Sequence, residues 1–421
     1  MIKIFKCSGN NYLSKLDRFL EKRKEFEKIN TKNVIKIIND VKKNKSKALL
    51  KYERKFSKNN EIKPSKKKII QSIRSLNPTI KKAIDYSYNR ILRFHSKQKI
   101  KNTLYIDNLD NKLEYKHLPI ESVGIYVPAN LPSTLLMNAI PAKLAKVKRI
   151  VLANPKYNGK LNPAVLYAAK KIGIKEIYSM GGAQAIASLA YIQKVNKIVG
   201  PGNIYVSKAK KEVFGDVGIE GMVAGPSEIT VVANKKSDFK NVITSLIGQA
   251  EHDTNSQCIL ITNDENLIRK INKEIPNYLK NLPRKNIAIK SLKKNGLLIK
   301  TYNDKQIISV INLIAPEHLE LNVNNYQKYL KKVFNAGSIC VGRYSAMAVT
   351  DYNVGTNHIL PTFGSAKFSS GLNLNEFYKK ISYINLSKKG IEVIGKQAIT
   401  LAEYEKLNGH ALSIRSRIRR K

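Results

Sequence analysis

Gln249 and His252 stand three residues apart in a stretch whose apolar spacing predicts a helix, so both side chains leave one face. Zinc takes imidazole nitrogen and side-chain oxygen at about 2.0–2.2 Å, which makes such a pair a candidate half of a metal shell. The polar face of a surface helix would look the same. Glu317-His318 follows Ala315-Pro316 at the end of the apolar run 308–314, which reads as a strand. That reading puts the pair at a strand's C-terminal edge, where α/β folds build their sites. An acid beside an imidazole supplies two bases of different strength, the imidazole suited to neutral pH. A helix-opening Glu next to a buried structural His is the plain alternative.

Asp351-Tyr-Asn-Val-Gly-Thr-Asn-His358 is dense in turn formers and predicts a shaped loop that offers one metal ligand and one substrate contact. Gly200-Pro-Gly-Asn203 and Gly225-Pro-Ser-Glu228 flank strand-like runs and can present backbone N–H groups to a ligand. Neither is a dinucleotide fingerprint and no P-loop occurs, so glycine spacing alone assigns no nucleotide. Cys258 and Cys340 lie among Ile, Leu and Val and read as small buried hydrophobes rather than nucleophiles.

Lysine marks these segments by its absence. The chain carries 76 Lys and Arg in 421 residues, yet windows 117–142, 176–193, 212–234, 241–268, 306–327 and 344–366 contain neither. Burial excludes a long hydrated cation, but an apolar core would not also need Gln249, Glu251, His252, Glu317, His318, Asp351 and His358. Four of the six histidines, His252, His318, His358 and His410, fall in such polar clusters, while His95 and His117 read as structural.

The formal charge of +45 invites a nucleic-acid reading through counterion release. Lys outnumbers Arg 62 to 14, however, and specific phosphate and base recognition favours the Arg fork. The lysines are spread through nearly every segment between motifs, which is the mark of compositional drift. No specific nucleic-acid partner is expected, only weak, salt-sensitive attraction to polyanions. Three cysteines make no disulfide framework, and no window reaches 18 uninterrupted apolar residues. The opening Met1-Ile-Lys-Ile-Phe-Lys-Cys7 lacks a secretory core. A cytoplasmic protein without membrane contact is expected.

The elements that must position these residues form two α/β series. The first hundred residues are Lys-rich with helical apolar spacing at Ile35, Ile38 and Val41, then Ile69, Ile70, Ile73 and Leu76. Strands are predicted at 123–127, 149–153 and 176–180, with helices between, and again at 229–233, 256–262 and 338–341. Beyond Ser370 the pattern reads as helical to the end, and the basic run 415–421 as a frayed tail. Boundaries fall near 123, 227 and 372. They divide a helical N-terminal region (1–123), a first α/β unit (124–227), a second α/β unit (228–372) and a helical tail (373–421).

Taken together and in order, certain segments resemble the histidinol dehydrogenase family over essentially the whole length. They are Gly124-Ile-Tyr-Val-Pro128, Gly181-Gly-Ala-Gln-Ala185, Val199-Gly-Pro-Gly-Asn203, Ala224-Gly-Pro-Ser-Glu228, Gln249-Ala-Glu-His252, Ala315-Pro-Glu-His318, the 351–358 loop with Leu360-Pro-Thr362, and the stretch 405–410. The resemblance implies oxidation of L-histidinol to L-histidine through histidinaldehyde, using water and two NAD+. It implies zinc held by Gln249, His252, Asp351 and His410, one ion per subunit, with the metal mainly orienting substrate. Glu317 would activate water and His318 would take the alcohol proton. Ser227, Gln249, His252, His318, Asp351, Glu405 and His410 would meet the substrate, and Tyr126, Gln184 and Asn203 the NAD.

The implied fold is a pair of incomplete Rossmann-like units, with the N-terminal region on the second. The implied assembly is an intertwined homodimer in which Glu405 and His410 complete the partner's site. Three departures stand out. The loop after Pro128 is short, the connection from Gln193 to Lys194 is short, and Thr350 stands where relatives commonly have Gly. A required positive φ at Thr350 would strain it. Two other readings are a same-family dehydrogenase of another amino or hydroxy alcohol, and an eroded polyanion-binding scaffold. Glu405 and His410 weigh against the first, and the intact Glu317 and His318 against the second.

Overall fold

The structure, a computed structural model, describes residues 2–24, 31–220 and 225–418. Ala224 of the 224–228 motif and the end of the basic run, 419–421, lie outside the described residues. In chain order the first elements are β1 (Lys3–Lys6), α1 (Tyr12–Lys24), α2 (Thr31–Ser57), α3 (Lys66–Arg74), α4 (Pro78–His95), β2 (Thr103–Ile106) and β3 (Lys112–Pro119). The first α/β series comprises β4 (Ser122–Tyr126), α5 (Pro132–Leu144), β5 (Arg149–Ala153), α6 (Pro163–Ile172) and β6 (Glu176–Tyr178). It continues with α7 (Gly182–Tyr191), β7 (Lys197–Val199), α8 (Ile204–Val213) and β8 (Gly218–Ile219). The second series comprises β9 (Glu228–Ala233), α9 (Phe239–Ala250), β10 (Gln257–Thr262), α10 (Glu265–Leu279), α11 (Lys285–Asn295) and β11 (Leu297–Lys300). It ends with α12 (Asp304–Ile314), β12 (His318–Asn322), α13 (Gln327–Leu330), β13 (Ser338–Val341) and α14 (Met347–Thr350). Then come β14 (Tyr378–Asn385), α15 (Lys388–Tyr404) and α16 (Asn408–Arg415).

Each series closes into a parallel sheet. The first has the order β6-β5-β4-β7-β8, and the second β1-β11-β10-β9-β12-β13. Numbered within its own half, each follows the 3-2-1-4-5 order of a dinucleotide-binding fold short of its sixth strand. β9 and β10 are buried along their whole length, as a sheet covered on both faces requires. β1, which the sequence reading missed, fills the far edge of the second sheet beside β11.

The N-terminal segment serves both halves. Cys7 and Leu16 join Val232, Ile259 and Ile261 in the core of the second sheet. Val34, Ile38, Val41, Leu49 and Tyr52 of α2 pack with Ala183, Ile186 and Leu189 of α7 in the first. The run 308–314 is corrected from strand to helix. Ile307, Val310, Ile311 and Ile314 are its buried face, and Asn303 caps it by accepting from the Gln306 N–H.

Two compact units divide the chain, one formed by residues 1–97 and 121–376, the other by 98–120 and 377–421. The second unit is not purely helical. Residues 378–385 form β14, paired antiparallel with β3, which also pairs with β2. Apolar residues at 378, 381 and 384 satisfy a helical period as well, and strand pairing decides between the two. The antiparallel helices α15 and α16 complete this unit. Among the described residues no helix is long and apolar enough to cross a membrane.

Candidate active site

In the first sheet the switch point lies between β4 and β7, the crevice where such folds take a ligand. Tyr126 ends β4 there. It is buried, its hydroxyl accepts from the Gly182 N–H at 3.4 Å, and burial pushes its pKa up to about 12. Asn203 follows β7 and caps α8, its Oδ1 accepting from the Tyr205 and Val206 N–H groups at 3.1 Å each. Its amide nitrogen stays available to a ligand. Gln184 lies buried in the first turn of α7, after β6. All three thus lie at the C-terminal edge of one sheet. The short 128–132 loop, joining β4 to α5, is at that edge too. The short 193–196 connection is not. It leads into the start of β7, beside a depression of about 730 Å³ lined by Lys42, Lys45, Lys194 and Asn196.

The second cluster gathers at the opposite edge of the other sheet. Glu317 and His318 open β12, Ser227 immediately precedes β9, and Gln249 ends a helix that returns toward the start of β10. The expectation of a C-terminal edge for Glu317-His318 is therefore corrected, because 304–314 is a helix and the strand begins at His318. Ala315 ends that helix in the left-handed region, at φ 47°. Beyond it, the Gly337 and Ser338 N–H groups donate to the Pro316 and Glu317 carbonyls at 2.9 Å each. Residue 337 has no room for a side chain, since a Cβ would lie 2.6 Å from the Glu317 carbonyl oxygen.

Glu317 and His318 are both buried, with His318 Nε2 3.9 Å from Glu317 Oε1. Glu317 Oε2 accepts from the Glu228 N–H at 2.7 Å. Burial, with the charges of Glu228 and Asp351 behind it, still holds the Glu317 carboxyl well above the usual carboxylate range. Burial pushes His318 down to about 3, with His358 and His252 adding to the effect, so its ring is neutral near pH 7. His318 Nδ1 is buried with no hydrogen-bond partner.

Gln249 is also buried, and its Oε1 lacks a partner. His252 is exposed at its surface, yet desolvation lowers its pKa, opposed by Glu251 and aided by Arg284. Burial pushes the Asp351 carboxyl up to about 7. The 351–358 loop is anchored from outside. Arg90 on α4 donates to the Asn353 and Val354 carbonyls at 2.6 and 3.2 Å, and Asn357 Nδ2 donates to the Met137 carbonyl at 2.7 Å. Thr350 ends α14 without a positive φ, its hydroxyl donating to the Met347 carbonyl, so the anticipated strain is absent.

The structure thus gathers Glu317, His318 and Asp351 with His252 and His358 within electrostatic reach of one another. Glu405 and His410 belong to the other compact unit. There Glu405 caps the C-terminus of α15, His410 lies in α16, and both are exposed.

Three polar side chains escaped the sequence reading or were left unassigned. His358 bonds through Nδ1 to the Asp351 carbonyl at 2.8 Å, and burial pushes it down to about 4. Glu320, buried two residues past His318, accepts from Ser245 and from the Met347 N–H that opens α14. Glu53 is buried on the Lys-rich α2. An acid at an inward position of β12 or α2 was the available signal for the last two.

Among the described residues no three His, Cys, Asp or Glu side chains close into a metal cluster by themselves. The donor set nevertheless suits zinc. It combines a buried amide oxygen with no partner, a carboxylate whose charge burial disfavours, and an imidazole kept neutral.

The profile of the family "Histidinol dehydrogenase" matches residues 20–418. A histidinol dehydrogenase from Pelagibacter ubique (strain HTCC1062) is 60% identical over the whole of both chains. One from Acinetobacter baylyi is 40% identical over 93% of this chain and 95% of its own. The crystal structure of histidinol dehydrogenase from Elizabethkingia anophelis superposes with a TM-score of 0.89 at 36% identity, covering 99% of this chain and 98% of that one. An acetylating aldehyde dehydrogenase from Geobacillus thermoglucosidasius shares the fold alone, with a TM-score of 0.50 at 12% identity over 89% of this chain and 97% of its own. The twin parallel sheets, the cluster around His318 and these likenesses place the chain in the histidinol dehydrogenase family, whose members are NAD-dependent oxidoreductases.

Proposed function

We propose that the protein carries out the four-electron oxidation of L-histidinol to L-histidine through histidinaldehyde, with two NAD+ used in sequence. The observation that carries this reading is His318, a buried imidazole held neutral near pH 7 with an unpartnered ring nitrogen, beside a buried carboxyl. In the first step His318 takes the hydroxyl proton as the carbinol C–H passes as hydride to NAD+. In the second, Glu317 takes a proton from the water that adds to the aldehyde carbon. The hydrate's C–H then leaves as hydride to the second NAD+, and the carboxylate product forms. Each hydride carries two electrons, so the sequence balances at two NADH per histidinol.

Gln249, His252 and Asp351 would hold a zinc ion, with His410 of the partner subunit as the fourth protein ligand. Bound there, the ion would supply a template that orients the substrate. Ser227 and His318 meet the substrate from the same edge, and the partner subunit's Glu405 closes it. Tyr126, Gln184 and Asn203 receive NAD at the switch point of the first sheet. A homodimer is supported by the second unit, where Leu104, Tyr105, Ile384, Leu401 and Tyr404 are exposed apolar side chains. The expected location is the cytoplasm.

The test is NADH yield from L-histidinol with zinc-loaded protein. Two NADH per substrate are expected. His318→Ala should slow the first oxidation by about 10²–10⁴-fold, the contribution of a positioned base. Glu317→Gln should pass the first step and stall at the aldehyde. An inert wild type, or one NADH per histidinol, overturns the reading.

A further inference from the structure

Glu53 is 1% exposed, a carboxyl turned inward from the Lys-rich α2. Its Oε1 accepts from the Gly181 N–H at 2.8 Å and from Gln184 Nε2 at 2.9 Å, and Oε2 accepts from Asn59 Nδ2 at 3.4 Å. Gly181 caps α7 without a side-chain bond of its own, so Glu53 supplies the acceptor at the start of that helix. The Asn59 amide is fixed in turn, since it also donates to the Ser179 carbonyl at 2.6 Å.

The Gly181 N–H can only donate, so Glu53 Oε1 is an acceptor and the Gln184 atom that faces the same oxygen is the amide nitrogen. The flipped amide would set oxygen against oxygen. The Gln184 oxygen is therefore turned the other way, over Gly182. That residue has φ +61°, and a Cβ there would come within 2.9 Å of Gln184 Oε1. Gly182 also donates to the Tyr126 hydroxyl, so the oriented oxygen lies in the same corner as the second predicted cofactor contact.

We propose that Glu53 is a positioning residue for cofactor binding. It locks the Gln184 amide so that an acceptor, not a donor, meets the dinucleotide. The group received there is then a donor, a ribose hydroxyl or an amide or amino hydrogen. The proposal rests on the reading of Gln184 as an NAD contact.

Steady-state kinetics of the full-length zinc-loaded enzyme tests both layers. Glu53→Met removes the acceptor, and the KM for NAD+ should rise about tenfold, with kcat at saturating NAD+ and the KM for histidinol within about twofold. Glu53→Gln retains an acceptor oxygen and should stay within about threefold of wild type. Gln184→Glu sets two carboxyl groups together and should raise the NAD+ KM by at least about tenfold, with Glu53→Gln restoring part of it in the double variant by removing one of the two. That rescue stays readable if Glu53→Met does not fold. Gln184→Ala separates the layers. If it leaves the NAD+ KM unchanged, the reading of Gln184 fails. If it raises KM while a folded Glu53→Met does not, or if Glu53→Gln fails to rescue Gln184→Glu, the role of Glu53 is overturned.

Discussion

Gln249 Oε1 is desolvated with no hydrogen bond to offset the loss, a cost of about 1–3 kcal/mol to the metal-free fold. Gln249→Leu should therefore raise the melting temperature of metal-free protein while abolishing zinc binding, measured by calorimetry and metal analysis on one preparation. A fall in melting temperature would mean that the oxygen has a partner in the fold. Asp351 makes the complementary prediction. Its carboxyl lies near 7 in the folded protein against 3.8 for a free one, so between those values the folded state binds the extra proton. Metal-free protein should then lose stability as pH rises from about 4 to about 7, in the part that Asp351→Asn removes. Zinc should stabilise more at pH 8 than at pH 6, as denaturant melts with and without metal will show. At this scale the sequence was informative where a residue's chemistry conflicts with its surroundings, as for Glu317 and His318 amid an apolar, lysine-free run. It was silent on Glu53, which stands in the basic stretch Lys51-Tyr-Glu-Arg-Lys55 and whose partners lie 128 and 131 residues away.

The elements carry the site by their ends rather than their middles. Tyr126 and Asn203 take the C-terminal edge of the first sheet, while Ser227 and His318 take the N-terminal edge of the second. The strands around them are legible in the sequence but this polarity is not, because Ile307, Val310, Ile311 and Ile314 suit a buried strand or a helix equally. Asn303 and Asp304 at its start held the deciding cap. The tail misled in the same way, since β14 is defined by β3, a partner more than 250 residues earlier. The abutment of β12 and β13 gives a prediction proper to elements. Gly337→Ala places a methyl against the Glu317 carbonyl and should cost about 1–3 kcal/mol in denaturant melts. It should also depress the aldehyde step more than the alcohol step, because the displaced backbone carries Glu317.

For the whole molecule, a shared site predicts complementation. His318→Ala and His410→Ala homodimers should each be inactive. Unfolded together and refolded, half the dimers are mixed and each mixed dimer holds one intact site, so about one quarter of wild-type activity should return. No recovery would place both residues in a site built from one chain. The net charge of +45 belongs to this scale as well and should show as salt-sensitive retention on polyanions, with no bearing on turnover. One pairing also orders events in time. β1 needs β11 beside it, and the two lie about 290 residues apart in the chain. At about 5–20 residues per second, a ribosome takes roughly 15–60 s to make that distance. β1 therefore waits, unpaired, until β11 has been made. Lys3 and Lys6, exposed at the two ends of β1, are charges of the kind that discourages an open edge from pairing with the wrong neighbour.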